Sequence, residues 1–100
     1  MTPEAKVKKK VVDVIKKNNA YYFFPATGGY GRSGVPDVVC CYRGYFVAIE
    51  CKAGTNKPTP LQEVEMAKIR QAQGIALVVN EDNIADVQDV FTTIDKGITS

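Results

Sequence analysis

The chain has 100 residues, 45% of them apolar and 24% charged, with a net charge of +2. This is the size and composition of one soluble globular domain spanning residues 1–100, and it is too weakly basic for charge alone to announce a nucleic-acid partner. No stretch approaches the roughly 18 apolar residues of a membrane span, and no apolar run follows the N-terminal lysines as a secretory signal would require. With no histidine and three cysteines, zinc sites of the Cys/His and all-Cys kinds are excluded, and reduced thiols in a cytoplasmic setting are expected.

The first predicted element is a helix from Pro3 to about Lys17. Thr2 suits the N-cap, Pro3 the first helical position and Glu4 the positive end of the dipole. Val7, Val11 and Ile15 recur at helical spacing as a buried stripe. Glu4 stands at the top of that stripe, so its carboxylate is expected to point toward the sheet. The aromatic run Ala20 to Phe24, ended by Pro25, reads as a strand. Ala26 to Gly34 is a loop with four glycines and Arg32, open enough for backbone to approach a ligand.

Val35 to Tyr42 and Tyr45 to Cys51 read as two strands of a hairpin turning at Arg43-Gly44. After a polar loop, Thr59-Pro60-Leu61-Gln62 has the form of a capping box and opens a helix that runs to about Gln73 and stops at Gly74. Ile75 to Val79 is a short apolar strand. A last helix from about Asn83 to Lys96 carries Ile84, Val87, Val90, Phe91 and Ile94 on one face and ends at Gly97. The order predicts an α/β fold: an antiparallel meander extended in parallel by the last strand, giving a mixed sheet with helices on its faces.

Chemistry concentrates on the third strand. Alternate residues share a face, so Glu50 and Lys52 project together while Cys51 faces the other way. Two charges at the end of an apolar strand are costly to bury without a use. In the predicted hairpin, positions pair when their numbers sum to about 87, which sets Asp37 opposite Glu50 to within one residue. Paired side chains lie roughly 5 Å apart. Carboxylates that close repel unless a cation sits between them, and hard oxygen donors suit Mg²⁺ or Mn²⁺. Each residue alone has a plainer reading: Asp37 as a turn carboxylate after proline, Glu50 and Lys52 as a solvated pair.

Gly34-Val35-Pro36-Asp37, followed thirteen residues later by Glu50-Cys51-Lys52, resembles the PD-(D/E)XK nuclease signature. The finer pattern is similar to the VRR-NUC family: Glu4 in the first helix, Gly31 to Asp37 reading Gly-Arg-Ser-Gly-Val-Pro-Asp, Phe46 to Lys52, then Thr59-Pro60 with Gln62. The match extends over about residues 4 to 80.

The resemblance implies a restriction-endonuclease-like αβββαβ core, to which this chain adds a C-terminal helix. It implies that Asp37 and Glu50 bind Mg²⁺ or Mn²⁺ with the backbone carbonyl of Cys51. Lys52 would orient the attacking water, Glu4 would reach the metal directly or through water, and Gln62 would support the site. Compact, standalone members, typically from phages, look like homodimeric nucleases acting on four-way (Holliday) DNA junctions in the host cytoplasm. Two other functions stay open: a flap or fork nuclease of the same fold, and a nucleic-acid-binding module that does not cut.

Several of these positions carry a second explanation. The helix dipole accounts for Glu4, and the capping box accounts for Gln62. Arg32 and Ser33 are loop residues placed to meet DNA phosphate, or else solvent. Lys6, Lys8, Lys9 and Lys10 form an exposed helix face, Tyr21 to Phe24 read as core rather than as a base-stacking platform, and the cysteines read as small apolar fillers.

Overall fold

A computed structural model describes residues 1–26 and 31–97. Gly28 and Gly29, two of the four glycines of the predicted loop, lie outside the described residues. The elements are α1 (Pro3–Lys17), β1 (Tyr21–Phe23), β2 (Val38–Tyr42), β3 (Tyr45–Cys51), α2 (Pro60–Gln71), β4 (Ile75–Val79) and α3 (Ala85–Asp95). The predicted α/β order holds. One four-stranded sheet runs β1-β2-β3-β4, antiparallel through the first three strands and parallel between β3 and β4, where α2 makes the crossover.

The α1 limits agree with the expectation. The Thr2 side chain accepts from the Ala5 N–H at 3.1 Å, and the backbone turns left-handed at Asn19 after the last turn. In the hairpin, Arg43 and Gly44 have φ of 50° and 88°, the paired positive values that a two-residue turn needs to match strand twist. Tyr42 Oη donates to Asp95 of α3 at 2.7 Å, tying the end of the hairpin to that helix.

Alternation assigns the faces. Val38, Cys40, Val47, Ile49, Cys51 and Val79 pack with Val7, Val11 and Ile15 of α1 and Val87, Phe91 and Ile94 of α3. The opposite face carries Val39, Ala48, Glu50 and Ala76, all buried, beneath α2 and its buried Met66. Small residues there let the helix come close to the sheet.

Four boundaries differ from expectation. β1 loses a residue at each end, keeping Tyr21–Phe23 of the predicted run from Ala20 to Phe24. β2 begins at Val38, so Val35, Pro36 and Asp37 precede the strand; Pro36 has no N–H to give a ladder. α2 ends at Gln71, and the left-handed residue that closes it is Gln73, at φ 72°, rather than Gly74. α3 begins at Ala85 because the Asn83 side chain is engaged upstream, accepting from the Asn80 N–H at 2.7 Å.

One glycine positions the site loop. Gly34 has φ +83°, and a Cβ on it would sit 2.7 Å from the Leu61 backbone C and O atoms in α2. Gly34→Ala therefore combines left-handed strain with a backbone clash. It is expected to cost about 2 kcal/mol, a fall of roughly 10 °C in the thermal midpoint. An unchanged midpoint would mean that the loop does not need this approach.

Candidate active site

The hairpin register brings the two predicted carboxylates together. Pairing runs to Val38↔Ile49, the sum anticipated, and Asp37 lies one residue beyond the ladder. There it continues the pairing by other means: the Cys51 N–H donates to Asp37 Oδ2 at 2.7 Å. Asp37 is half-buried.

Glu50 is the residue under electrostatic pressure. It is only 2% exposed, on the α2 face of a central strand. Its Oε2 accepts from Gln62 Nε2 at 2.8 Å and lies 3.4 Å from Lys52 Nζ. Its Oε1 is buried and has no hydrogen-bond partner. Burial, then the Asp37 charge, pushes the Glu50 carboxyl up to about 7, and Lys52 opposes this by charge and hydrogen bond.

An orphaned carboxylate oxygen beside a second carboxylate is chemistry that could hold a hard cation. Among the described residues no three His, Cys, Asp or Glu side chains converge on one point. Asp37 and Glu50 are the two side chains that could hold a cation, and so few protein donors suit an ion that keeps much of its water, as Mg²⁺ does. The residues present fit the metal.

Gln62 serves both purposes that its sequence position suggested. Its Oε1 accepts from the Thr59 N–H at 2.8 Å, completing the capping box, while its Nε2 holds Glu50. The helix cap thus fixes the amide in the orientation that the carboxylate requires.

The Cys51 side chain faces the α1 side, where burial first and the charges of Asp37 and Glu50 next push its thiol up to about 12. Cys40, raised by burial, also reaches about 12. Neither is a thiolate near neutral pH, which agrees with their reading as apolar fillers.

Glu4 stands at the solvent-facing start of α1. Its side chain is exposed and takes no part in a three-residue donor set, although its charge is close enough to contribute to the rise at Cys51. Val7 and Val11, on the same stripe, are buried in the core. Lys8, partly buried, is also felt at Cys51 and lies with its Nζ 4.4 Å from the centre of the Phe24 ring.

Arg32 and Ser33 are exposed. Arg32 pairs with Glu65 at 3.2 Å, a residue that sequence reasoning missed. Glu65 is a buried acid in α2, three positions after Gln62, and that spacing was the available signal for a second acid facing the loop.

A strand hairpin that ends on paired carboxylates, with a lysine just past the strand end beside the second of them and a helix crossing behind, has the layout of a PD-(D/E)XK nuclease. The comparisons carry this further. A solved structure described as a VRR_NUC domain superposes with a TM-score of 0.72 at 22% identity, covering 98% of this chain and 100% of that one. A protein of Acyrthosiphon pisum secondary endosymbiont phage 1, named "Putative nuclease p44", is 31% identical over 87 residues, 84% of this chain and 89% of its own length. A "UPF0102 protein" of Pseudothermotoga lettingae is 34% identical over 71 residues, 67% of this chain and 66% of that protein. No family model matches the chain. The chain belongs to the family of the phage nuclease p44, and its fold is that of a VRR_NUC domain. No helix among the described residues is long and apolar enough to cross a membrane.

Proposed function

We propose that this nuclease is a Mg²⁺- or Mn²⁺-dependent DNA endonuclease that acts as a homodimer on four-way junctions. The observation that carries the metal is the buried, partnerless Oε1 of Glu50 beside Asp37. A divalent ion supplied there lowers the pKa of bound water and neutralises charge that builds on the phosphate. Asp37 and Glu50 hold it, with the Cys51 carbonyl as a further donor.

The chain's own residues organise the rest. Gln62 and Lys52 occupy Glu50 Oε2, so Oε1 is the oxygen left for the ion. The Cys51 N–H holds Asp37 Oδ2 and leaves its other oxygen free to bind. Lys52, 13% exposed at its side chain, keeps its ammonium at the edge of the site, where it orients the attacking water. Arg32 and Ser33 meet the DNA backbone from the loop, and exposed Glu4 acts through water.

The dimer follows from substrate symmetry. A junction presents two equivalent strands, and one copy of this chain offers one such site, so a two-fold pair supplies both cuts. The test is a panel of labelled four-way junctions, flaps, forks and plain duplex with each metal in turn, together with sedimentation at micromolar concentration. Metal-dependent paired cuts in the junction, at least about tenfold faster than in duplex, are expected from a dimer. Full activity in EDTA would overturn the metal assignment. Preference for flaps, or a monomer making paired cuts, would overturn the junction reading.

A further inference from the structure

We propose that the cleft between α2 and the turn end of β3 is a nucleotide subsite, stacking one unpaired DNA base on Phe46 and holding its phosphate with Arg32 and Lys68. This rests on the DNA-cutting reading above and adds to it a means of recognising distorted DNA.

The cleft has a volume of about 400 Å³, within the range of small-ligand pockets, and Arg32, Phe46, Glu65, Lys68, Ile69 and Gly74 line it. Phe46 is the unusual member. It lies on a central strand yet is 46% exposed, whereas Ala48 and Glu50, next along the same face, are buried. Gly74 leaves room for the ring: a Cβ there would come 3.2 Å from Phe46 Cδ1 and 2.7 Å from Ile69 Cγ2. The aromatic row also continues outward, because Phe46 pairs with Cys41 and Cys41 with Tyr21, which is 73% exposed on the edge strand.

The rim argues for an anion. Glu65 is 7% exposed, and its two oxygens lie 3.2 Å from Arg32 and 3.8 Å from Lys68. One buried carboxylate thus anchors two cations whose side chains remain 71% and 60% exposed. Exposed pairs of this kind contribute little stability. They do fix direction, and a net positive charge remains beside an apolar floor. A flat aromatic face with cations at its edge suits a base and its phosphate, and stacking is tolerant of sequence.

The location relates the cleft to cutting. Phe46, Ala48 and Glu50 share a face, and four residues of strand span about 13 Å. The N-terminal part of α2 reaches Glu50 through Gln62, and its later residues Lys68 and Ile69 line the cleft, so one helix borders both places.

Metal-free protein in EDTA provides the test, because binding is then read without cleavage. The probes are a duplex carrying one bulged 2-aminopurine and the same duplex fully paired. Binding of the bulged probe is expected to change 2-aminopurine fluorescence. Phe46→Ala should abolish that change and weaken bulge binding about tenfold, leaving duplex binding within about twofold. Phe46→Trp should restore both, and Lys68→Gln should lower the salt dependence by about one phosphate contact. Thermal midpoints confirm that each variant is folded; should Phe46→Ala fail to fold, Phe46→Leu and Lys68→Gln carry the test. Equal losses on bulged and paired DNA, an unaltered fluorescence change in Phe46→Ala, or no DNA binding would overturn the subsite. Failure of cleavage with metal, while bulge binding persists, would count against the catalytic reading alone.

Discussion

Asp37→Asn is expected to reduce cleavage about a thousandfold or more while leaving the fold intact. The asparagine oxygen can still accept from the Cys51 N–H, the contact that Asp37 Oδ2 makes at 2.7 Å, so the structural duty is retained. What disappears is the negative charge beside Glu50. Two carboxylates hold a hard cation far better than one carboxylate with an amide, and a thousandfold loss corresponds to about 4 kcal/mol of transition-state stabilisation. Calorimetry with Mn²⁺ should lose its binding heat in parallel.

Lys52→Ala separates the roles. It leaves both carboxylates in place and should keep Mn²⁺ binding while slowing cleavage about a hundredfold or more. Undiminished cleavage by Asp37→Asn protein, prepared free of host nuclease, would remove Asp37 from the site. Loss of Mn²⁺ binding in Lys52→Ala would make the lysine a structural support of the carboxylates instead of a water-orienting group.

Local chemistry explains which features could be read from the chain. Thr2 with Pro3, and Thr59 with Pro60 and Gln62, are short-range signals whose partners lie within one helical turn, so both helix starts were visible. The hairpin register was visible because a two-residue turn permits only one pairing, and the ladder Val38↔Ile49 follows from it. Features that depend on how elements sit against each other were hidden. Asp37 lies outside β2, yet it meets β3 through the Cys51 N–H, a contact that no strand pattern encodes. Glu4 shares a periodicity with the buried Val7, yet it is exposed. Gly74 was legible as part of the helix stop, since its N–H closes α2 by donating to Ile69 O at 2.8 Å, but the close approach of Ile69 and Phe46 to it was not. Glu65 looked like one more charge on a polar helix until the loop brought Arg32 across to it.

Glu50→Gln should abolish cleavage and also stabilise the metal-free protein at alkaline pH. The folded Glu50 carboxyl is pushed up to about 7 from its ordinary 4.5, first by burial and then by Asp37. Between those values the folded state holds a proton that the unfolded state has released, so folding stability falls as pH rises from about 4.5 to 7. Above pH 7 the full cost remains, of the order of 2–3 kcal/mol, because the carboxylate is ionised in both states but buried in one. A glutamine is neutral throughout and its amide can donate to Asp37, giving the orphaned position a hydrogen bond. In EDTA at pH 8.5 the variant should therefore melt about 10 °C above the parent, a gap that narrows toward pH 5. Mn²⁺ should reverse the order by stabilising the parent alone, since only the ionised carboxylate rewards the ion. A variant that melts below the parent at pH 8.5 without metal would show that Glu50 carries no stored charge repulsion.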